Sequence, residues 1–210
     1  MTNMPHFLKT GYWGDFKMDF NREHHVDLRV QKTREAIKNT FKEMICEMPA
    51  EKITVKELTD RARIHRKTFY LHYTTIEALY QDMMSEIADG YYQEMEKLQP
   101  PYSFKDVNRI FFTYYAKQDK FVERLVCEPS YRPFCNKLHT ATLQHNLSRY
   151  NPYEGFSQEK QNMIHTFLVV SSLELYRQWI ADGKKLPLEE AIVLTGKLLD
   201  EGISGLISDI

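Results

Sequence analysis

The sequence predicts an all-α protein, and three observations in its 210 residues support that class. From residue 27 onward, apolar residues recur three or four positions apart, which is the spacing of one helix face. Serine, threonine or aspartate precedes several of these segments, often with a carboxylate three positions later, as at a helix start. Proline and glycine stand between segments, where helices end. The length allows one or two domains with a proper core.

The segments within residues 27–75 are predicted to form one small helical domain. The first helix ends before Pro49, since proline disfavours helical backbone at the residue that precedes it. Thr54 followed by Glu57 forms a capping box that begins the second helix. A third helix begins at Arg66, after the apolar spacing is interrupted. The apolar residues of the first helix are Val30, Ile37, Phe41 and Ile45.

The third helix is predicted to have a polar outer face. Ile64, Phe69 and Tyr73 would face the second helix. The outward residues are two cations, a hydroxyl, a phenol and an imidazole: Arg66, Lys67, Thr68, Tyr70 and His72. Such a helix suits the major groove of DNA, where cations and hydroxyls bind phosphates and a few side chains reach base edges.

Three motifs occur within residues 27–90: T-V-x-E-L with A-x-I, then T-F-Y-x-H-Y, then T-T-x-E-A-L. Together they resemble the tetracycline-repressor (TetR) family of transcription regulators. The resemblance implies an N-terminal three-helix helix-turn-helix DNA-binding domain joined to a C-terminal helical bundle for ligand binding and dimerisation. It also implies a homodimer that binds a palindromic double-stranded DNA operator as a ligand-responsive repressor.

The resemblance also implies roles for individual residues. Tyr70 and His72 would contact phosphates, and Lys67 would meet the DNA backbone or base edges. The complete predicted DNA-binding set is Thr54, Arg63, His65, Arg66, Lys67, Thr68, Tyr70 and His72. The chain departs from the family at Arg63, where glycine is usual in a left-handed turn, and at Ile76, where a phosphate-binding lysine is usual.

Residues 76–210 are predicted to form a regulatory and dimerisation domain, linked to the DNA-binding domain by a helix at residues 76–98. Thr74 and Glu77 form a second predicted capping box at the start of that helix. Further helices are expected to begin at Ser103, Asp119, Pro133, Ser157 and Pro187. Residues 1–26 have scattered aromatic residues without a period and are predicted to be a mobile extension.

The last two predicted helices, residues 157–182 and 187–206, carry apolar residues on more than one face. A second copy of this pair would complete a four-helix bundle. The resemblance places the dimer interface there. The predicted interface residues are Phe167, Leu175, Leu199, Ile203 and Leu206.

Aromatic residues of the second domain could line an effector pocket or simply form its core. The candidates are Phe111, Tyr114, Tyr115, Tyr176 and Trp179. The residues leave open which of the two they do. They also leave open what an effector would be, and whether this chain has one.

Charge is unevenly distributed along the chain, whose net charge is −1. Residues 27–73 hold eleven lysines and arginines against seven acids, whereas the rest holds 17 basic and 22 acidic residues. This favours local DNA binding without general affinity for polyanions.

Three cysteines without CxxC spacing, and no apolar run long enough to span a membrane, predict a cytoplasmic protein with no metal or cofactor.

The sequence is also compatible with two other classes of function. A helical enzyme could draw on His139, His145 and His165, but no metal-ligand spacing, phosphate loop or nucleophile elbow accompanies them, so no catalytic residue is predicted. A helical adaptor or coactivator of the same fold could instead bind a protein partner in place of an effector. The departures at Arg63 and Ile76 favour this alternative.

Overall fold

A computed structural model describes residues 28–207, with side chains as far as residue 202, and all regular structure in that range is helical. Its nine α-helices are α1 Leu28–Glu47, α2 Val55–Arg61, α3 Arg66–His72, α4 Ile76–Glu96, α5 Phe104–Ala116, α6 Lys120–Cys127, α7 Arg132–Arg149, α8 Gln158–Ala181 and α9 Leu188–Ile207. The predicted all-α class is confirmed. The extension predicted at residues 1–26 lies outside the described residues.

Polar side chains cap most helix starts, as the sequence predicts. Two of the predicted capping boxes, those at Thr54 and Thr74, differ from the prediction. Thr54 accepts a hydrogen bond from the backbone N–H of Glu57 at 3.2 Å. The Glu57 carboxylate accepts from Arg61 Nε at 2.9 Å instead of returning to the Thr54 backbone. The box predicted from Thr74 is wrong, because the cap of α4 is Thr75, whose hydroxyl accepts from the N–H of Ala78.

The turn between α2 and α3 is left-handed at Arg63, with φ of 54°. The N–H of Ile64 donates to the carbonyl of Thr59 at 3.0 Å, and the N–H of Arg63 donates to the carbonyl of Asp60 at 3.3 Å. These two bonds form a Schellman motif, which satisfies carbonyls at the end of α2. A residue with a Cβ therefore occupies a position that normally favours glycine.

The helix α3 is anchored by its buried side. Phe69 is fully buried together with Phe41 of α1 and Leu58 of α2. In α4, the ring of Tyr80 meets Phe41 edge-on at 4.6 Å and stacks on Phe134 of α7 at 4.4 Å. One cluster of buried apolar side chains thus continues from α1 to α9, across the boundary predicted at residue 75.

A polar cluster fixes the carboxyl end of α3 against α1 and α4. The Tyr73 hydroxyl donates to Asp82 Oδ2 at 2.8 Å and accepts from Arg34 Nε at 3.0 Å. Asp82 also pairs with Arg34 at 2.5 Å and with Lys38 at 2.6 Å. Burial by itself would raise the pKa of the Asp82 carboxyl. Hydrogen bonds from Lys38 and Tyr73, with the Lys38 and Arg34 charges, outweigh burial and lower it.

The carboxy-terminal helices pack around α5 and α8. The helix α5 lies along α9, and α8 contacts α6, α7 and α9. Gly183, with φ of 72°, ends α8 as the sequence predicts, and Trp179 Nε1 donates to the carbonyl of Leu186 at 2.8 Å. The last two helices are therefore joined by a short connection and lie side by side.

Replacing Arg63 by glycine should raise the free energy of unfolding by up to about 1 kcal/mol, because glycine adopts φ above 0° without a Cβ clash. Chemical denaturation measures this change. Arg63→Ala is the matched control, since it removes the same charge and keeps the Cβ. A glycine variant no more stable than the alanine variant would contradict the conformational argument.

Replacing Asp82 by asparagine should lower the free energy of unfolding at neutral pH by about 1–3 kcal/mol, because Arg34 and Lys38 lose their charged acceptor. The pKa of Asp82 is lowered in the folded state. Its contribution is therefore complete above the ordinary pKa of 3.8 and is lost as pH falls through the folded-state value. Unfolding measured from pH 7 to pH 3 should show the variant approaching the parent. Asp89→Asn, exposed on the same helix, should leave stability unchanged at every pH.

Candidate nucleic-acid interface

The exposed side of α3 carries the residues that the sequence predicts to meet DNA. Arg66, Lys67 and Tyr70 are exposed, the last with 55% of its surface accessible. Thr68 and His72 are half-buried at the edges of that side. Since Phe69 is buried on the opposite side, the outward direction of these side chains is held by packing.

Two further predicted residues lie at helix starts. His65 caps α3, with Nδ1 accepting from the N–H of Lys67 at 3.2 Å. That bond requires an unprotonated Nδ1, which leaves Nε2–H of the exposed imidazole to donate to a phosphate oxygen. Thr54 is exposed at the start of α2 and keeps a hydroxyl proton that can be donated in the same way.

The cations of this domain divide into paired and unpaired groups. Arg61 pairs with Glu47 at 2.5 Å and with Glu57 at 2.9 Å, so its charge is already compensated. Within the described part of the chain, no ion pair involves Arg63, Arg66 or Lys67. Uncompensated positive charge is therefore present at the turn and at the start of α3.

Sequence reasoning missed one residue of this surface. Leu71 is 84% exposed and lies one helical turn after Lys67. The sequence could have indicated this residue, because it is an apolar side chain on the polar side of a short amphipathic helix. Its branched methyl groups can contact the C5 methyl of thymine, which is an apolar feature of the major groove.

The aromatic residues predicted as an effector pocket mostly form core. Phe111 packs on Tyr115 at 4.9 Å and on Tyr176 at 5.7 Å, and Tyr176 packs on Trp179 at 5.8 Å. The hydroxyl of Tyr114 donates to the carbonyl of Ile87 at 2.7 Å. Of the five predicted residues, Phe111 alone lines the cavity of about 20 Å³ between α4, α5, α7 and α8, which has room for about one water molecule.

The predicted dimer residues fall into three groups. Leu199 is 1% exposed and packs inside the subunit, so its assignment to a dimer contact is wrong. Phe167 is 42% exposed and Leu175 is half-buried, while the side chains of Ile203 and Leu206 lie outside the described residues. An exposed apolar face does extend along α8 and α9; its residues are Met163, Phe167, Val170, Val193, Leu194 and Leu198.

Residues 28–207 hold neither a cluster of metal ligands nor a helix that could span a membrane. No group of three or more histidine, cysteine, aspartate or glutamate side chains in that range could hold a metal ion. No helix there is both long and apolar enough to cross a bilayer. Cys46, Cys127 and Cys135 are free thiols.

No protein-family model matches the chain. One relative, an uncharacterized HTH-type transcriptional regulator, YxbF of Bacillus subtilis (strain 168), is 38% identical to this chain over 64 residues. That match covers 30% of this chain and 17% of the relative, so the chain matches less than a fifth of that protein's length.

Solved structures match over most of the chain. A TetR transcriptional regulator from Streptococcus agalactiae has a TM-score of 0.63 at 18% identity, over 83% of this chain and 97% of that one. NalD, the secondary repressor of the MexAB-OprM multidrug efflux pump in Pseudomonas aeruginosa, has a TM-score of 0.63 at 15% identity, over 84% and 98%. FadR of Bacillus subtilis, solved with stearoyl-CoA, has a TM-score of 0.57 at 15% identity, over 80% and 98%. This chain therefore has the fold of the TetR-type transcriptional regulators, an N-terminal helix-turn-helix followed by a C-terminal helical domain.

Proposed function

We propose that this protein is a DNA-binding transcriptional regulator whose α3 enters the major groove of an operator. The observation that carries the proposal is the exposed side of α3, where Arg66 and Lys67 have no acidic partner while Phe69 on the other side is fully buried. A rigid helix that presents uncompensated cations matches the negative phosphates on either side of a groove.

The polar residues around α3 suit a division between phosphate and base contacts. Thr54 and His65 can donate to phosphates from the helix starts, and Tyr70 and His72 can do so from α3. Lys67 and Leu71 lie one turn apart on the exposed side, so a cationic donor and an apolar contact can meet neighbouring bases. The phosphate contacts would set affinity, and Lys67 with Leu71 would contribute to sequence preference.

The same proposal includes a homodimer formed by the exposed face of α8 and α9. Six large apolar side chains are exposed together there, which is unusual on the surface of a monomer. Burying the same face on two subunits would form a two-fold contact. It would also set the spacing of the two α3 helices, so that half-sites lie about one helical turn, roughly 34 Å, apart or somewhat more.

Repression and effector response are the regulatory part of the proposal. NalD, of the same fold, is named as a repressor, and FadR was solved with stearoyl-CoA bound. We infer a regulator that acts in the cytoplasm by binding alone and leaves its operator when an effector enters the C-terminal domain. The free thiols of Cys46, Cys127 and Cys135 suit a reducing compartment.

Lys67→Ala and Tyr70→Ala should each weaken binding to duplex DNA from upstream of its own gene by about tenfold, or about 1.4 kcal/mol. Gel shift or fluorescence anisotropy at two salt concentrations measures this, and parent affinity should fall steeply with salt as counterions are released. Lys137→Ala, exposed on α7, is the matched control and should bind like the parent. Unchanged helical circular dichroism with parental affinity in both test variants would contradict the assignment of α3.

Phe167→Glu and Leu198→Glu should convert the dimer to monomers, because each places a charge in the proposed apolar contact. Sedimentation velocity at micromolar concentration measures the oligomeric state, and operator affinity should fall together with dimerisation. Val30→Glu, at a similarly exposed position on α1, is the matched control for oligomeric state. A parent protein that sediments as a monomer and still binds a palindrome tightly would rule out this architecture.

A further inference from the structure

A small cavity between α4, α5, α7 and α8 has buried polar side chains, together with buried Tyr91, Phe111 and Leu168, on its inner side and half-buried apolar side chains nearer the surface. The polar lining comes from Asn108, His139, Thr142, Asn146 and Ser172, each no more than 8% exposed. The outer lining includes Phe104, Val107, Leu143 and Val169, which are half-buried. Polar groups inside a core need partners, so the hydrogen bonding of the inner side indicates what the cavity can hold.

Asn108 has an unpartnered amide oxygen. Its Nδ2 donates to Thr195 Oγ1 at 2.8 Å. The hydroxyl of Thr195 donates in turn to the carbonyl of Ala191 at 2.8 Å, so it can only accept from Asn108. This chain of bonds fixes the amide orientation. Oδ1 of a side chain that is 1% exposed therefore has no hydrogen-bond partner.

Asn146 of α7 also carries an unpartnered amide oxygen. Its Nδ2 donates to the hydroxyl of Tyr91 at 3.0 Å, and its Oδ1 has no partner although the residue is 5% exposed. An unpaired buried acceptor has a free-energy cost, because it has lost its hydrogen bond to water. Two such oxygens belong to residues that line one cavity, so a molecule that donates to both would remove that cost twice.

The hydroxyls of Thr142 and Ser172 already donate their protons to backbone carbonyls. The Thr142 hydroxyl donates to the carbonyl of Leu138 at 2.9 Å, and the Ser172 hydroxyl donates to the carbonyl of Leu168 at 2.5 Å. Both oxygens keep lone pairs and can still accept. Apart from the Tyr91 hydroxyl, which accepts from Asn146 and keeps its own proton, the inner lining therefore accepts hydrogen bonds and offers little to an anion or to a carbonyl group.

Charge is disfavoured in the same place. The cavity lining contains no carboxylate, lysine or arginine among the described residues. Burial lowers the pKa of His139 to about 4, against a hydrogen bond with the Val169 backbone that raises it, so the imidazole is neutral at physiological pH. An ion entering this cavity would lose its hydration without gaining a counter-charge.

We propose that this cavity is the effector site and takes an uncharged ligand that has two hydroxyl or N–H donors on a compact apolar body. The effector role rests on the proposed regulatory function, whereas the binding chemistry of the cavity does not depend on DNA binding. The donors would bind Asn108 Oδ1 and Asn146 Oδ1. The apolar body would lie against Phe104 and Leu143, displacing them outward, because the present volume of about 20 Å³ holds only a water-sized group.

Displacement of α7 would reach the DNA-binding domain through direct contacts. Tyr131, immediately before α7, donates its hydroxyl to the carbonyl of Met48 at 2.6 Å. Arg124 of α6 donates Nε to the carbonyl of Ile45 in α1 at 2.6 Å. Opening the cavity would therefore act on the end of α1, where Glu47 pairs with Arg61 of α2.

The experiment titrates the full chain, without DNA, with four compounds of one skeleton at neutral pH, using isothermal titration calorimetry. The compounds are phenylethylene glycol, its dimethyl ether, mandelate as an anion and phenylglycinol as an ammonium cation. The glycol should bind, and each of the other three should bind at least tenfold more weakly, since each loses a hydrogen bond or buries a charge. Because this comparison uses the unaltered protein, its result holds whether or not variants fold.

Asn108→Leu and Asn146→Leu then test the two oxygens. Each should reduce the preference for the glycol over its ether by about threefold or more, because one of the two hydrogen bonds that the ether cannot make is removed. Asn39→Leu, exposed on α1, is the matched control and should keep the preference. Circular dichroism checks that each variant is folded.

Each outcome decides a separate part of the proposal. Equal binding of the ether, stronger binding of either ion, or no binding of the glycol at millimolar concentration overturns the site chemistry. Glycol binding that leaves the operator affinity unchanged overturns the effector role and leaves the site in place. Failure of the protein to bind any upstream DNA overturns the proposed function, whereas the four-compound result would still assign the cavity.

Discussion

The position of α3 depends on the carboxylate of Asp82 in α4, which binds groups from α1 and from the end of α3. It receives the Tyr73 hydroxyl and pairs with Arg34 and Lys38, so that α1, the end of α3 and α4 meet at one partly buried group. Charged hydrogen bonds of this kind are among the stronger ones in proteins. Since α3 is only seven residues long, its direction depends on this cluster and on buried Phe69 more than on its own backbone bonds.

The helix α4 carries that placement into the C-terminal domain. Tyr80 contacts Phe41 of α1 on one side and stacks on Phe134 of α7 on the other. A core shared in this way resists gradual deformation, because interiors are close-packed and side chains occupy discrete positions. A rearrangement of α7 is therefore expected to reorient α1 to α3 as a unit, which suits the proposed regulator with two alternative arrangements.

The two ends of the molecule use polar groups in opposite ways. Around α3, Arg66 and Lys67 are exposed and uncompensated, which favours a strongly charged and well hydrated partner such as DNA. In the cavity, Asn108 and Asn146 are buried with unpaired acceptors, which favours a neutral donor. The same fold thus separates a surface that recognises charge from an interior that excludes it.

The sequence by itself determined the helical class, the start of α3 at Arg66 and the outward set on α3, because these follow from local spacing and capping. The left-handed turn at Arg63 was expected only from the resemblance to a family with glycine there. Only the tertiary structure decided that Thr75, not Thr74, caps α4, that Leu199 is core and that Leu71 is exposed. It also separated the packed aromatic residues from the cavity beside them and brought Asn108 and Asn146 to that cavity, 38 positions apart in the chain. Helical periodicity shows that a residue is on an apolar face; which helix covers that face depends on contacts between residues far apart in the chain, and these leave no local pattern.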